Sequence, residues 1–294
     1  MKVVVVSDIH ANLDAFKAVL DAERGFDGFL CLGDLTGYGT EPLECLELAR
    51  SLSRRAAWSL VLAGNHDAVL AGKLPESWFN RAVLTSIAYT RARLSIRDID
   101  WLASLPSAAD VILPRGGSAP DASARRRALL SFFDKGTLAA IAAHGDPAEP
   151  LTGYLWGGEE TAGAYGAMAR RGVGLCFVGH SHEASAFSRG GFGVVSPSGV
   201  LSVADNAPAI VNPGSVGFPR DFGLLARIAS DASDASPGAG SSPAPNGLPD
   251  AEPLSLERYP AYYALWDTDA GTVSFRNARY DRTAFERRLT AAGL

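Results

Sequence analysis

Cysteine is scarce in this chain: Cys31, Cys45 and Cys176 are odd in number and far apart. A disulfide framework is thereby excluded, and the expected role of all three is packing as buried thiols in a reducing compartment. Long apolar runs are also lacking, so nothing in the sequence is long enough to cross a bilayer, and no membrane partner is expected. No charged leader with an apolar stretch precedes the first strand-like run, from which a cytoplasmic location is expected. Nor is there a basic excess. Lys and Arg number 27 against 32 Asp and Glu, a formal charge of −5, which argues against a surface dominated by nucleic-acid backbone contacts but leaves room for a small phosphorylated substrate.

Histidine is rare too, with only five in 294 residues, yet all five stand in short clusters that follow hydrophobic runs. Residues 3–7 lead into Asp8-Ile9-His10, 29–32 into Gly33-Asp34, and 58–63 into Gly64-Asn65-His66-Asp67. Residues 138–143 lead into His144-Gly145, and 173–178 into Gly179-His180-Ser181-His182. Each run reads as a strand with a metal-type side chain at its carboxyl end, and in open α/β sheets those ends lie along one edge. The clusters are therefore expected to form one site.

The rest of the chain supports an α/β reading. Asn12 can cap a helix in which Leu13, Phe16, Val19 and Leu20 recur at helical spacing, with Gly25 available to end it. Strand, helix and strand within about thirty residues make a βαβ unit. Helices are predicted at 41–54, 78–94, 159–171 and 283–291. Shorter strands are predicted at 111–113, 128–133, 184–188, 194–195, 201–203, 209–211, 263–266 and 272–280, with an exposed loop at 115–127. The arginines 125–127 read as a solvated part of that loop. Residues 229–257, built almost wholly from small and polar residues, cannot bury enough surface to offset their ordering entropy. A single domain over 1–294 with a disordered insertion at 229–257 is expected, because the strands and one helix beyond it are too little for an independent core.

Asp8, His10, Asp34, Asn65, His144, His180 and His182 are too many ligands for one ion of four to six coordination, and they suit two ions that share a bridge. Two divalent cations bring four positive charges against three negative ones from Asp8, Asp34 and a bridging hydroxide, so the centre would attract a phosphate. Ions about 3.5–4 Å apart acidify water and clamp phosphate oxygens during in-line attack. Hydrolysis of a phosphate ester is the chemistry expected.

These motifs, in this order, resemble the calcineurin-like metallophosphoesterases. The run from Gly33 to Gly39 and the turn Asn212-Pro213-Gly214-Ser215-Val216-Gly217 resemble the small bacterial and archaeal single-domain branch. The resemblance implies a four-layer αββα sandwich with two mixed β-sheets. It also implies that Asp8, His10 and His182 hold one ion, that Asn65, His144 and His180 hold the other, and that Asp34 bridges them. His66 would face the scissile bond as the catalytic group without binding metal. Protein Ser/Thr phosphatases of the family continue Gly-Asp with another Asp and an Arg, whereas Gly37 and Tyr38 follow here, so protein substrates are not expected. His66 also lacks that group's aspartate partner; Asp67 could orient its ring or could cap backbone.

Tyr38 and Arg220 are candidates for substrate contact, with packing in a glycine-rich loop and pairing with a surface carboxylate as their plainer roles. Asn212 and Ser215 are expected to stabilise their turn. The expected activity is a dinuclear metal-dependent phosphoesterase acting on small phosphodiesters, nucleotides or dinucleoside polyphosphates. Manganese is the expected metal, although this ligand mixture also accepts iron, zinc, nickel or cobalt. A nuclease on longer nucleic acids and a non-catalytic protein-binding scaffold are the alternatives. No oligomeric state is read from the sequence.

Overall fold

Alternation along the first strand sets the layering. In the computed structural model, which describes residues 1–114, 136–188, 191–194, 199–219 and 260–294, Val3 to Val6 of β1 (Lys2–Val6) are all buried. Successive side chains of a strand point to opposite faces. Val4 and Val6 accordingly enter one apolar cluster, and Val3 and Val5 another. Phe29 and Cys31 of β2 (Gly28–Cys31) part from Leu30 in the same way.

The first cluster packs this sheet against helices. Phe16 of α1 (Leu13–Ala22), Leu46 of α2 (Pro42–Arg55) and Val69 of α3 (Asn65–Leu70) join it. So do Ile87 of α4 (Arg81–Arg91) and Leu102 of α5 (Ile96–Ser104). The second cluster lies between two sheets. Val111 of β4 (Ala108–Pro114), Ala140 and Ala142 of β5 (Gly136–Ala143) and Phe177 of β6 (Leu175–Phe177) meet Val3, Val5 and Trp266 there. The Phe177 and Trp266 rings lie 5.3 Å apart. A third cluster joins Ile141 and Cys176 to Ala164 and Met168 of α6 (Ala162–Arg171), which covers the far face of the second sheet. Helix, sheet, sheet and helix are the four layers expected.

The remaining strands are β3 (Trp58–Val61), β7 (Ala184–Ser188), β8 (Gly191–Val194), β9 (Val200–Ser202), β10 (Ala209–Pro213), β11 (Ala261–Asp267) and β12 (Thr272–Ala278). The first sheet runs β3-β2-β1-β11-β12-β9 and the second β4-β5-β6-β10-β7-β8. Both are mixed: β1, β2 and β3 are parallel, as are β5, β6 and β10, while the other pairs are antiparallel. The parallel strands bring their carboxyl ends, and the clusters after them, to one edge. Because β9 enters the first sheet and β10 returns to the second, the two sheets are interleaved along the chain. α7 (Val203–Asn206) lies between these two strands, and α8 (Arg282–Ala292) closes the chain.

Three local expectations change. The helix expected at 78–94 starts only at Arg81, because the Asn80 side chain accepts from Val83 N–H at 3.1 Å and caps it there. Glu76–Trp78 is instead a 3₁₀ turn and Phe79 is extended. α5 was not expected, although Ser95 and Asp98 form a capping box at its start. Val203 begins α7 rather than ending a strand. The expected loop at 115–127, the strand at 128–133 and the insertion at 229–257 lie outside the described residues. All three cysteines are buried free thiols, as expected.

Candidate metal centre

The segments after β1, β2 and β6 share an uncommon backbone. Asp8 (φ 53°), His10 (49°), Asp34 (53°), Tyr38 (50°), His180 (65°) and His182 (64°) all adopt the left-handed conformation. Residues with a Cβ avoid that region, and single cases concentrate where function over-determines geometry. Here it turns each side chain off its strand end towards a common point. Gly64 serves the same end by being small, since a methyl group on it would collide with the Asp34 carboxylate.

Each aspartate divides its two oxygens. Asp8 Oδ2 accepts from His180 N–H at 3.1 Å, while Oδ1 faces His182 Nε2 at 3.3 Å and His10 Nε2 at 3.8 Å. Asp34 Oδ1 accepts from His66 N–H at 2.9 Å, while Oδ2 faces His10 Nε2 at 3.6 Å and His144 Nε2 at 3.5 Å. Asp8, His10, Asp34 and His182 thus form one buried group, and Asp34, His144 and His180 a second. Asp34 belongs to both.

The imidazole tautomers supply a chemical test of whether cations fit. His10 Nδ1 donates to Thr36 O at 3.0 Å, His144 Nδ1 to Leu32 O at 3.0 Å and His182 Nδ1 to Phe218 O at 2.6 Å. With the proton on Nδ1, each Nε2 turns a lone pair inward. His10 Nε2 and His182 Nε2 nevertheless lie 3.0 Å apart. His144 Nε2 lies 3.0 Å from Asn65 Oδ1 and 3.2 Å from His180 Nδ1. Lone pairs facing one another at this range repel, and a cation between them turns the contact favourable. The donor set therefore fits divalent ions.

Electrostatics points the same way. Burial, then the neighbouring Asp67 and Asp8, hold the Asp34 carboxyl well above its usual range. Burial and repulsion from His182 and His66 hold His10 well below the usual imidazole value, and burial lowers His144 to about 4. The site thus disfavours both its own anions and added protons, a frustration that bound divalent cations relieve.

His66 is the second residue of α3, and its ring lies 4.8 Å from that of His10, 4.7 Å from Tyr38 and 5.4 Å from Phe79. Asp67 does not orient it. Its carboxylate accepts from the backbone N–H groups of Gly64, Leu35 and Thr36 at 3.1 Å each, and from Thr36 Oγ1 at 2.7 Å. Capping is its role, and it ties the segment after β3 to that after β2. Close packing bounds the ring on one side: a Cβ on Gly37 would collide with His66 Nδ1.

The turn at 212–217 does more than stabilise itself. Asn212 Nδ2 donates to Gly179 O at 2.8 Å and Ser181 Oγ at 2.9 Å, and Ser215 Oγ donates to Asp8 O at 2.7 Å. One turn thus grips the segments after β6 and β1, which belong to different sheets. Phe218 continues from it and packs 5.1 Å from Tyr38 and 5.6 Å from Phe285 of α8.

A cleft of ≈ 170 Å³ opens over the site, lined by Asp34, Asn65, His66, His180, His182 and the expected Tyr38. Arg220 lies outside the described residues. Trp78, Phe79, Asn80, Val83 and Tyr154 also line the cleft, and no sequence signal had singled them out. Among the described residues, no helix is long and apolar enough to cross a membrane.

A family model described as calcineurin-like phosphoesterase matches residues 1–184, a span that includes every expected metal-site residue. An uncharacterised protein of Methanocaldococcus jannaschii is 32% identical over 221 residues, covering 74% of this chain and 77% of that protein. A metallophosphoesterase from Sphaerobacter thermophilus matches with a TM-score of 0.65 at 26% identity, over 100% of this chain and 95% of its own. A Pyrococcus horikoshii protein gives 0.63 at 17% identity, over 100% and 94% of the two chains, a likeness of fold.

Proposed function

The chain belongs to the calcineurin-like phosphoesterase family, and on that premise we propose that it hydrolyses small phosphodiesters, nucleotides or dinucleoside polyphosphates at a centre of two divalent ions. Family membership makes it a metal-dependent phosphoric ester hydrolase. The observation that carries the two-ion reading is the presence of Asp34 in both buried ligand groups.

Asp8, His10 and His182 would hold one ion, Asn65, His144 and His180 the other, with Asp34 between them. Manganese is our choice of metal, since mixed carboxylate, amide and imidazole donors suit it. The ions, when bound, supply positive charge to the phosphate and acidify water. The chain's own groups do the rest. Carbonyls of Thr36, Leu32 and Phe218 hold three imidazoles in one tautomer and one orientation. Hydrolysis joins a water oxygen to phosphorus and breaks the ester P–O bond, and the departing oxygen takes a proton. His66 lines the cleft and would give that proton, and Tyr38, its ring 4.7 Å away, would contact the substrate.

Among the described residues no Lys or Arg lines the cleft, which favours a small substrate over a long nucleic acid. The buried free thiols suit a reducing cytoplasm, and we read the chain as one domain. Asp34→Ala and His66→Ala should each abolish hydrolysis of bis(p-nitrophenyl) phosphate in manganese. Full activity in both variants would sink the assignment, and fewer than one ion bound per chain would favour a scaffold.

A further inference from the structure

Two aromatic ladders rise from the site, each starting at one of its histidines and ending in an exposed indole. On one side Phe79 packs edge-on to His66 at 5.4 Å, and Trp78 packs on Phe79 at 6.3 Å. On the other, Tyr154 stacks on His180 at 4.0 Å and 27°, and Trp156 lies parallel to Tyr154 at 5.5 Å and 8°. Trp78 is 48% exposed and Trp156 38%. Trp78, Phe79 and Tyr154 line the same cleft as Asp34, Asn65 and His66.

Phosphate chemistry alone has no use for such walls. A half-exposed indole forgoes part of the roughly 2 kcal/mol that full burial would supply, and rings that wall a cleft suit something planar that accompanies the phosphate. A lipid tail would call for aliphatic walls, whereas Val83 is the one aliphatic side chain lining the cleft among the described residues. Polar edges are present as well. Asn80 lines the cleft, and because its carboxamide oxygen is engaged by Val83 N–H, its NH2 is the group it can offer a ligand. Among the described residues no Lys or Arg lines the cleft, so within that lining the ions alone would neutralise phosphate charge, which suits a single phosphate.

We propose that the aromatic lining of the cleft, with half-exposed Trp78 as its stacking face and the edge of Tyr154 as its other wall, forms a nucleobase-stacking subsite, so that the preferred substrate is a phosphoester bearing one nucleoside beside the scissile phosphate. This rests on the hydrolase reading above and narrows it. Substrate selection then comes from π-stacking with the base, and turnover from the metal centre and His66.

The test uses three esters that release the same p-nitrophenol from the same P–O bond: thymidine 5′-(p-nitrophenyl phosphate), methyl p-nitrophenyl phosphate and benzyl p-nitrophenyl phosphate. With manganese-loaded protein, the thymidine ester should exceed the methyl ester in kcat/KM by about tenfold or more, the scale of one base–aromatic stack. Trp78→Ala and Tyr154→Leu should each pull that ratio towards one, while Trp78→Phe keeps most of it. Thymidine 5′-monophosphate should inhibit the wild type at lower concentration than inorganic phosphate, and Trp78→Ala should narrow that gap. A wild-type ratio near one, or a ratio unchanged in both the alanine and leucine variants, would overturn the subsite and leave the hydrolase reading standing. An equal gain from benzyl would overturn the nucleobase assignment in favour of any aromatic ring. Hydrolysis of none of the three would remove both readings together.

Discussion

Gly37 carries no side chain, and that vacancy is where the His66 ring lies. A methyl group there would collide with His66 Nδ1, and the residue's φ of 89° disfavours any Cβ. Gly37→Ala should therefore displace the ring without touching a metal ligand. The expected outcome is a fall in kcat of about a hundredfold or more, the low end of what a general acid contributes, with bound metal by elemental analysis unchanged. That the aspartates and histidines of the site gather at one place was legible in the sequence because metal chemistry admits few side chains. The role of Asp67 was not, since a buried carboxylate beside a histidine can serve ring or backbone, and only its four hydrogen bonds decide for backbone. Trp78 and Tyr154 were invisible because aromatic residues normally read as core; an indole at a cleft mouth becomes evident only when its exposure is known.

At the scale of elements, the turn after β10 is the hinge pin between two sheets. Asn212 bonds the segment of His180 and His182, and Ser215 bonds that of Asp8. Asn212→Ala should loosen ligand placement and leave the strands intact. Manganese affinity, measured calorimetrically, should drop about 10- to 100-fold, as for other partners of ligands, with the far-ultraviolet circular dichroism unchanged. The sequence marked this stretch as a turn from its Asn, Pro, Gly and Ser but held no sign of what its side chains reach, because those partners are over thirty residues away. Strands and their order along the chain were legible from the apolar runs. The helix expected at 78–94 runs only from Arg81 to Arg91, and at its start the cause is Asn80, whose cap leaves Trp78 and Phe79 outside it, where they line the cleft.

For the whole molecule, the four layers follow from alternation: Val3 to Val6 announce a strand buried on both faces, and the helices supply the outer cover. Pairing of the first strand with β11, across most of the chain, was not legible, since sheet order depends on long-range register. The buried histidines couple this fold to acidity. His144 titrates near 4 in the fold, chiefly through burial, against about 6.5 in an unfolded chain. Between those values the unfolded state binds the extra proton, so stability falls as pH falls. In chelator, the stability of wild type relative to His144→Gln should be flat above about pH 6.5. Below it the difference should decline by up to about 1.4 kcal/mol per pH unit towards pH 4, read by urea denaturation at each pH.

The left-handed residues of the centre carry one more consequence. Each costs about 1 kcal/mol or more to hold, and they gather in residues 8–11, 34–38 and 180–182. Stripping divalent ions with EDTA should let that tension relax locally, so that amide deuterium uptake quickens in peptides covering these stretches. The paired amides of β1 and β11 should keep their slow exchange, and uptake rising evenly across both would show that the ions brace the entire fold instead.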